Sequence, residues 1–340
     1  MTLRKLSSTD AFVVTDLDGA PSAGVVRSAP KILQGGAKDL ARSQTYAFAT
    51  FNIRRGGASA GINASDADRS AAIAAFAEEL ATDVAAGTLV FDAAKGVDPS
   101  LLEPLIANDV RSDARHQQIG GDDLRTHLTG LGPALAADVT AGLEGRTVAI
   151  EGFGAHCAAL ADAITERGAK IVAVSTAKGT LTGDALSANE LRERWIADGE
   201  GLVGADADKP WALWQAGAEV LFVGSKMGAL DHNTAEKLDL AAVIPHQPLP
   251  YTARALAVMQ RSGTKVVPDF VATAAPLFVD WPAGGEGIGD IVATATAALV
   301  EAIADTSGHK DGAFLGACYR AESFLSTWQD SVPFGRPLAS

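Results

Sequence analysis

The stretch Thr147-Val148-Ala149-Ile150-Glu151-Gly152-Phe153-Gly154-Ala155-His156-Cys157 decides the fold. Its first five residues read as a strand, two glycines separated by one residue close it, and Leu160 and Ile164 then repeat at helical spacing up to Gly168. A strand, a glycine turn and a helix in immediate succession form the half of a βαβ unit that cradles a pyrophosphate. Gly152 permits the tight turn, Gly154 lets the backbone approach the phosphates, and the helix start presents its N–H groups and positive dipole end. The third glycine position, which serves helix–strand packing, holds the small thiol of Cys157. Gly152, Phe153, Gly154, Ala155, His156 and Cys157 are therefore the candidate dinucleotide-binding residues.

The next strand, residues 170–174, runs into Ser175, Thr176, Ala177 and Lys178 without the acidic residue that would hold ribose hydroxyls. A 2′-phosphate is then not repelled, and Ser175, Thr176 and Lys178 can donate to it, so NADP is the expected cofactor, with NAD as the alternative. Lys178 as a solvated loop charge is the competing reading. Further strands at 219–223, 242–244 and 265–267 alternate with helical stretches, including an alanine-rich helix over 290–303, as in a doubly wound parallel sheet.

Upstream of Gly130 the pattern changes. Short strands at 11–15 and 24–27 precede a helix over 38–51, and the stretch Arg54-Arg55-Gly56-Gly57-Ala58-Ser59-Ala60-Gly61 reads as a glycine-rich turn. Ser65 with Asp68 opens a helix carrying Ile73, Phe76, Leu80 and Val84 up to Gly87, and 89–91 reads as a strand. The expected fold is α/β in two domains, an N-terminal α/β domain over 1–130 and a Rossmann-type parallel sheet over 131–316. The tail 317–340, helical from Gly316 to Trp328, is expected to pack back onto the first domain.

With 340 residues and 47% hydrophobic content, each domain can bury its own core. The net charge of −13 disfavours nucleic acid and anionic membrane surfaces as partners. Two cysteines, Cys157 and Cys318, make no disulfide framework and suit a reducing, cytoplasmic setting. The first ten residues lack the apolar core of a signal peptide, and no run approaches the roughly 20 apolar residues of a membrane span. His116, His127, His232 and His309 have no neighbour at metal-ligand spacing, so no metal is expected.

From about Gly24 to Asp280 the chain resembles the glutamate/leucine/phenylalanine/valine dehydrogenases. Residues 147–154, 168–175 and Lys178-Gly179 resemble that family's cofactor stretch. Thr129-Gly130-Leu131-Gly132 resembles its Thr-Gly-x-Gly helix start, which implies that Thr129 touches the nicotinamide carboxamide. Residues 266–271 resemble the strand leading to the family's Asn-Ala-Gly-Gly turn. Gly24-Val25-Val26-Arg27 stands where the family has Gly-Gly-x-Arg, and residues 54–61 stand where it has a Gly-Gly-x-Lys-Gly-Gly turn. In the family two lysines grip carboxylates and a third, in the glycine turn, activates water. In this register the three positions hold Ala23, Ala47 and Ser59. Two further turns also depart, one reading Thr273-Ala274-Ala275-Pro276 and the other running through His246-Gln247-Pro248-Leu249-Pro250.

Asn108-Asp109-Val110 resembles the Pro-Asp-Val segment whose aspartate shuttles protons, which implies that role for Asp109; a surface aspartate after a helix is the competing reading. Lys226 and His246 follow predicted strand ends, where ligands gather in open α/β sheets, and Arg54 and Arg55 flank the glycine-rich stretch. The expected function is an NAD(P)-dependent oxidoreductase acting on a non-standard small carbonyl, imine, alcohol or amine, with Asp109, Ser59 and Lys226 as candidate catalytic groups. A catalytically inactive dinucleotide-binding sensor or partner protein on the same scaffold is the alternative. The resemblance implies a substrate and dimerisation role for the first domain and a homodimer or higher homo-oligomer.

Overall fold

In the computed structural model, which describes residues 1–284 and 287–339, the chain divides into two units. One comprises Met1–Arg111 with Cys318–Leu338, the other Ser112–Ala317 with Ala339. The division falls before the expected boundary because Gly130 sits inside a long helix, Leu124–Ala141, that belongs wholly to the second unit.

The first unit runs β1 (Thr2–Lys5), β2 (Ala11–Thr15), β3 (Ser22–Ala29), α1 (Gln34–Thr50), β4 (Gly56–Asn63), α2 (Arg69–Ala85), β5 (Leu89–Ala93) and the short α3 (Glu103–Ile106). Its sheet has the order β1-β2-β4-β3-β5, with β4 parallel to β3 and antiparallel to β2. Side chains alternate across the strands. Ala58, Ala60 and Ile62 therefore meet Val13, Val26 and the α2 residues Ile73, Phe76, Leu80 and Val84 on one face. Phe12 and Val14 meet Ala37 and Ala41 of α1 on the other. The expected turn over residues 54–61 is corrected here: from Gly56 onward it is the central strand. Its glycines supply space. A Cβ added at Gly57 would stand 1.9 Å from the Ala41 carbonyl oxygen, and one at Gly61 2.6 Å from Ile32. Glycine thus lets α1 lie directly on strand backbone.

At the start of α2 the Ser65 hydroxyl donates to the Asp68 carboxylate at 2.6 Å, while the Asp68 N–H donates to Ser65 Oγ at 3.3 Å. Residues 318–338 join this unit through polar contacts. Tyr46 donates its hydroxyl to Glu322 at 2.9 Å, and Arg336 forks onto the same carboxylate at 2.8 and 3.0 Å. Arg42 pairs with buried Asp16 at 2.8 Å and donates to the Phe334 and Gly335 carbonyls.

The second unit opens with the small hairpin β6 (Gln118–Ile119) and β7 (Asp122–Asp123). It continues α4 (Leu124–Ala141), β8 (Thr147–Glu151), α5 (Cys157–Glu166), β9 (Lys170–Thr176), β10 (Gly179–Leu186), α6 (Ala188–Asp198), β11 (Val220–Val223), α7 (His232–Ala235), β12 (Ala242–Pro245), α8 (Ala253–Ser262), β13 (Lys265–Val266), α9 (Asp269–Ala272), α10 (Leu277–Asp280) and α11 (Ile288–Ser307). The chain then enters α12 (Ala313–Leu325), which carries it into the first unit. The sheet order is β10-β9-β8-β11-β12-β13, parallel throughout except for β10. Strand order reverses at β8, where the chain first steps to β9 and later to β11 on the other side. The crevice beyond the carboxyl ends of β8 and β11 is therefore the topological switch point, where doubly wound sheets bind ligands.

Helix α4 begins at Asp123, whose carboxylate caps the Thr126 N–H at 2.7 Å, so Thr129-Gly130-Leu131-Gly132 lies within the helix and is not its start. Gly130 lets α5 approach: a Cβ there would stand 2.4 Å from the Ala159 carbonyl carbon. Among the described residues no helix is long and apolar enough to cross a membrane.

Candidate functional site

The glycine turn of the second unit is fixed from both sides. Gly152 has φ +83°, and an added Cβ would stand 2.4 Å from the Ser225 backbone, so only glycine fits. Phe153 N–H donates to the Ser175 carbonyl at 2.7 Å, tying the turn to the end of β9. The Glu151 carboxylate, buried at the end of β8, accepts from the Gly224 and Ser225 N–H groups at 3.1 and 3.0 Å and ties the turn to the loop after β11. Gly154 is different. An added Cβ would meet nothing closer than the His156 ring at 3.7 Å. Cys157 N–H closes on the Gly154 carbonyl at 2.9 Å and starts α5, while the N–H groups of Gly154, Ala155 and His156 make no hydrogen bond among the described residues. Three unspent donors at a helix start match the needs of an anionic group.

At the end of β9 the three expected ribose-side residues fare differently. Ser175 is buried and its hydroxyl accepts from Gly152 N–H at 3.4 Å. Thr176 is buried and spends its hydroxyl proton on the Glu200 carbonyl at 2.7 Å. Lys178 is exposed in the tight turn between β9 and β10. Thr176 therefore has no hydroxyl proton to spare, Ser175 keeps one but is buried, and Lys178 is the exposed donor of the three. Thr129, on α4, donates its hydroxyl to the Arg125 carbonyl at 2.8 Å. Lys226 is exposed just after β11.

The fold also assembles a group that sequence spacing does not show. His246, 1% exposed at the end of β12, donates from Nε2 to the Glu151 carbonyl at 2.8 Å and turns Nδ1 toward His156 Nε2, 3.1 Å away. Cys157 Sγ stands 3.6 Å from His156 Nε2 and 3.9 Å from His246 Nδ1. Gln247 Nε2 approaches His156 Nε2 at 3.1 Å. Burial keeps the set neutral. It depresses His156 to about 3, helped by His246, lowers His246, and pushes the Cys157 thiol up to about 12. Spacing along the chain could not show this group, because His156 and His246 lie 90 positions apart and meet only where β8 and β12 flank β11. A groove of about 750 Å³ lined by Thr140, Gly263, Lys265 and Lys310 lies at the amino end of β13, away from this crevice.

In the first unit, Asp109 does not lie in an apolar cleft. It is held by Arg111 at 2.6 Å, and Arg111 also binds Asp92 of β5 at 2.7 Å. Arg55 is half-buried beside this pair and its guanidinium pKa is lowered, chiefly by burial and then by Arg111; Arg54 is exposed. The three positions read as lysines in the resembling family are buried and uncharged: Ala23 on β3, Ala47 on α1 and Ser59 on β4. Ser59 is 0% exposed and its hydroxyl has no hydrogen-bond partner among the described residues, so it stands away from any open surface and the catalytic role expected for it is not supported. Arg27, on β3 beside Gly61 of β4, has Nε and Nη2 buried without a hydrogen-bond partner among the described residues, and burial lowers its pKa.

Residues 120–276 match the family model described as Glutamate/Leucine/Phenylalanine/Valine dehydrogenase. The chain is 31% identical over 175 residues to glutamate dehydrogenase A2 of Halobacterium salinarum, a match spanning 48% of this chain and 41% of that protein. It is 26% identical over 289 residues to the NADP-specific glutamate dehydrogenase A1 of the same organism, across 78% of this chain and 69% of the relative. The fold matches the hetero-hexameric glutamate dehydrogenase of Thermus thermophilus in its Leu-bound form with a TM-score of 0.80 at 22% identity, covering 98% of this chain and 90% of that one.

Proposed function

Because the chain belongs to the glutamate/leucine/phenylalanine/valine dehydrogenase family, we propose that it is an NADP-dependent oxidoreductase whose substrate is a small carbonyl, imine, alcohol or amine other than a standard α-amino acid. The observation that carries the cofactor half is the glycine turn, with three unspent N–H groups at the start of α5 and open space above Gly154. These groups hold the pyrophosphate, and Lys178 receives the 2′-phosphate. The bound nicotinamide supplies or accepts a hydride. The substrate half rests on Ala23, Ala47 and Ser59. A carboxylate taken out of water without a cation costs several kcal/mol, and those positions offer none. A homo-oligomer in the cytoplasm accords with this reading.

Two measurements test it together. NADPH fluorescence titration should show saturable binding, and a panel of carbonyls and imines should reveal consumption of the bound cofactor. Glutamate, leucine, valine and phenylalanine, or their keto acids with ammonia, should give no ordinary turnover. Absence of NADPH binding would overturn the cofactor assignment, and brisk turnover of any of those amino acids would overturn the substrate assignment. The burial of the three lysine positions also favours a second reading, a non-catalytic dinucleotide-binding partner subunit. NADPH binding with no consumption across the panel, and activity restored only by a second chain, would select it.

A further inference from the structure

The geometry points to a transition-metal site, zinc by preference, held by His156 Nε2, Cys157 Sγ and His246 Nδ1 at the carboxyl ends of β8 and β12. The three atoms form a triangle with sides of 3.1, 3.6 and 3.9 Å. The centre of such a triangle is about 2.1 Å from each corner, against zinc–nitrogen distances of ~2.0–2.1 Å and a zinc–sulfur distance of ~2.3 Å. An ion would enter with small side-chain adjustments only.

Three further features fit a metal. His246 has its tautomer fixed by the hydrogen bond from Nε2 to the Glu151 carbonyl, which leaves the Nδ1 lone pair facing the triangle. That backbone partner is the outer-shell support a ligating imidazole ordinarily has. His156 Nε2 lies 3.1 Å from both His246 Nδ1 and Gln247 Nε2; with the amide donating to it, both imidazole nitrogens present lone pairs that a cation would satisfy. Two imidazoles and one thiol, moreover, are a donor set of intermediate softness suited to zinc, and they leave a fourth position for water or another oxygen or nitrogen donor. Binding converts the thiol to a thiolate with release of one proton to solvent, so the loaded site carries one net positive charge. The ligands are side chains, whereas the dinucleotide reading uses backbone N–H groups of the same turn, so metal uptake can be tested without cofactor.

The test is metal uptake by the full chain in reducing buffer, with Zn²⁺ followed by elemental analysis after desalting and Co²⁺ followed by absorption. The wild type should take up one equivalent per chain, with a thiolate-to-cobalt charge-transfer band and tetrahedral visible bands. Cys157→Ser should lose the charge-transfer band, and His156→Asn should weaken uptake at least tenfold. Circular dichroism reports whether each variant is folded. No stoichiometric uptake by folded wild type, or uptake with the same affinity and spectrum in both folded variants, would overturn the site whether or not NADPH binds.

Discussion

Replacing Gly154 by alanine separates what the fold needs from what a ligand needs. The added methyl group would meet no protein atom closer than 3.7 Å, and Gly154 does not lie in the left-handed region. The folded state should tolerate the change, and the smaller conformational freedom of the unfolded chain should stabilise the protein by about 0.4–1 kcal/mol. The methyl group would instead occupy the space through which a phosphate approaches the N–H groups of Gly154, Ala155 and His156. Loss of one charge-assisted hydrogen bond costs roughly 1.5–3 kcal/mol, or on the order of 10–150-fold in Kd. Gly152→Ala provides the contrast: its φ of +83° and the Ser225 backbone 2.4 Å from the added Cβ should lower the melting temperature sharply whatever the ligand. NADPH titration alongside thermal melting reads both. Unchanged NADPH affinity in a stable Gly154→Ala protein would refute the placement of the pyrophosphate, and a Gly152→Ala protein melting like wild type would refute the turn geometry.

The remaining predictions use the same pairing of stability and function. Lys178→Glu, an exposed change, should leave melting alone and weaken NADPH about tenfold while sparing NADH, roughly the effect of removing one charge contact with a 2′-phosphate; equal effects on both cofactors would show that this turn does not read the ribose. Asp109→Asn should act mainly on stability, because it removes one of the two carboxylates that hold Arg111, and with Asp92 still paired the loss is that of charge-assisted hydrogen bonds, about 1.5–3 kcal/mol; normal melting with abolished turnover would restore Asp109 to the role of proton carrier. At the tail, burial raises the Glu322 pKa, but bonds from Arg336 and Tyr46 outweigh it and leave the folded value below the ordinary 4.5. The contribution of Glu322 is therefore complete above that value and is lost as pH falls through the lowered one. Acid titration of Trp328 fluorescence should show the tail loosening in that window, and Glu322→Gln should remove that step.

The β8–α5–β9 unit was legible because its signals are local: apolar strands, glycine spacing and helical periodicity each operate within a few residues. The stretch from Arg54 to Gly61 shows the limit of the same signals. Glycine marks either a backbone conformation or a missing side chain, and sequence does not say which. Gly152 uses the first property, with positive φ, whereas Gly57 and Gly61 use the second, letting α1 and Ile32 close on a strand. Strand β10 escaped notice because Thr180, Thr182, Gly183 and Asp184 lack the apolar alternation of a half-buried strand, and its middle residues are exposed at the sheet edge. The His156–Cys157–His246 triangle escaped for a different reason. His246 was legible as a residue past a strand end, but its meeting with His156 depends on β8 and β12 both flanking β11.

In the proposed reading the first unit lacks the cations that an amino-acid carboxylate needs, and burial decides what that means. Were Ala23, Ala47 and Ser59 simply missing lysines on an open surface, restoring the side chains could restore the clamp. All three are buried, and Ser59 pairs across the sheet with Val14 and Val25 on its two neighbouring strands. A lysine at position 59 would bring an ammonium group into a site where even the serine hydroxyl finds no hydrogen bond among the described residues, at a cost of several kcal/mol unless the amine gave up its proton. The neighbouring glycines sharpen the point, since Gly57 already has the Ala41 carbonyl 1.9 Å from where a Cβ would lie. Helix α1 and the sheet cover these positions. In the proposed reading these positions belong to a packed interface, and Arg27 on the same sheet, with Nε and Nη2 buried and without a hydrogen-bond partner among the described residues, is a cation available to an anionic group.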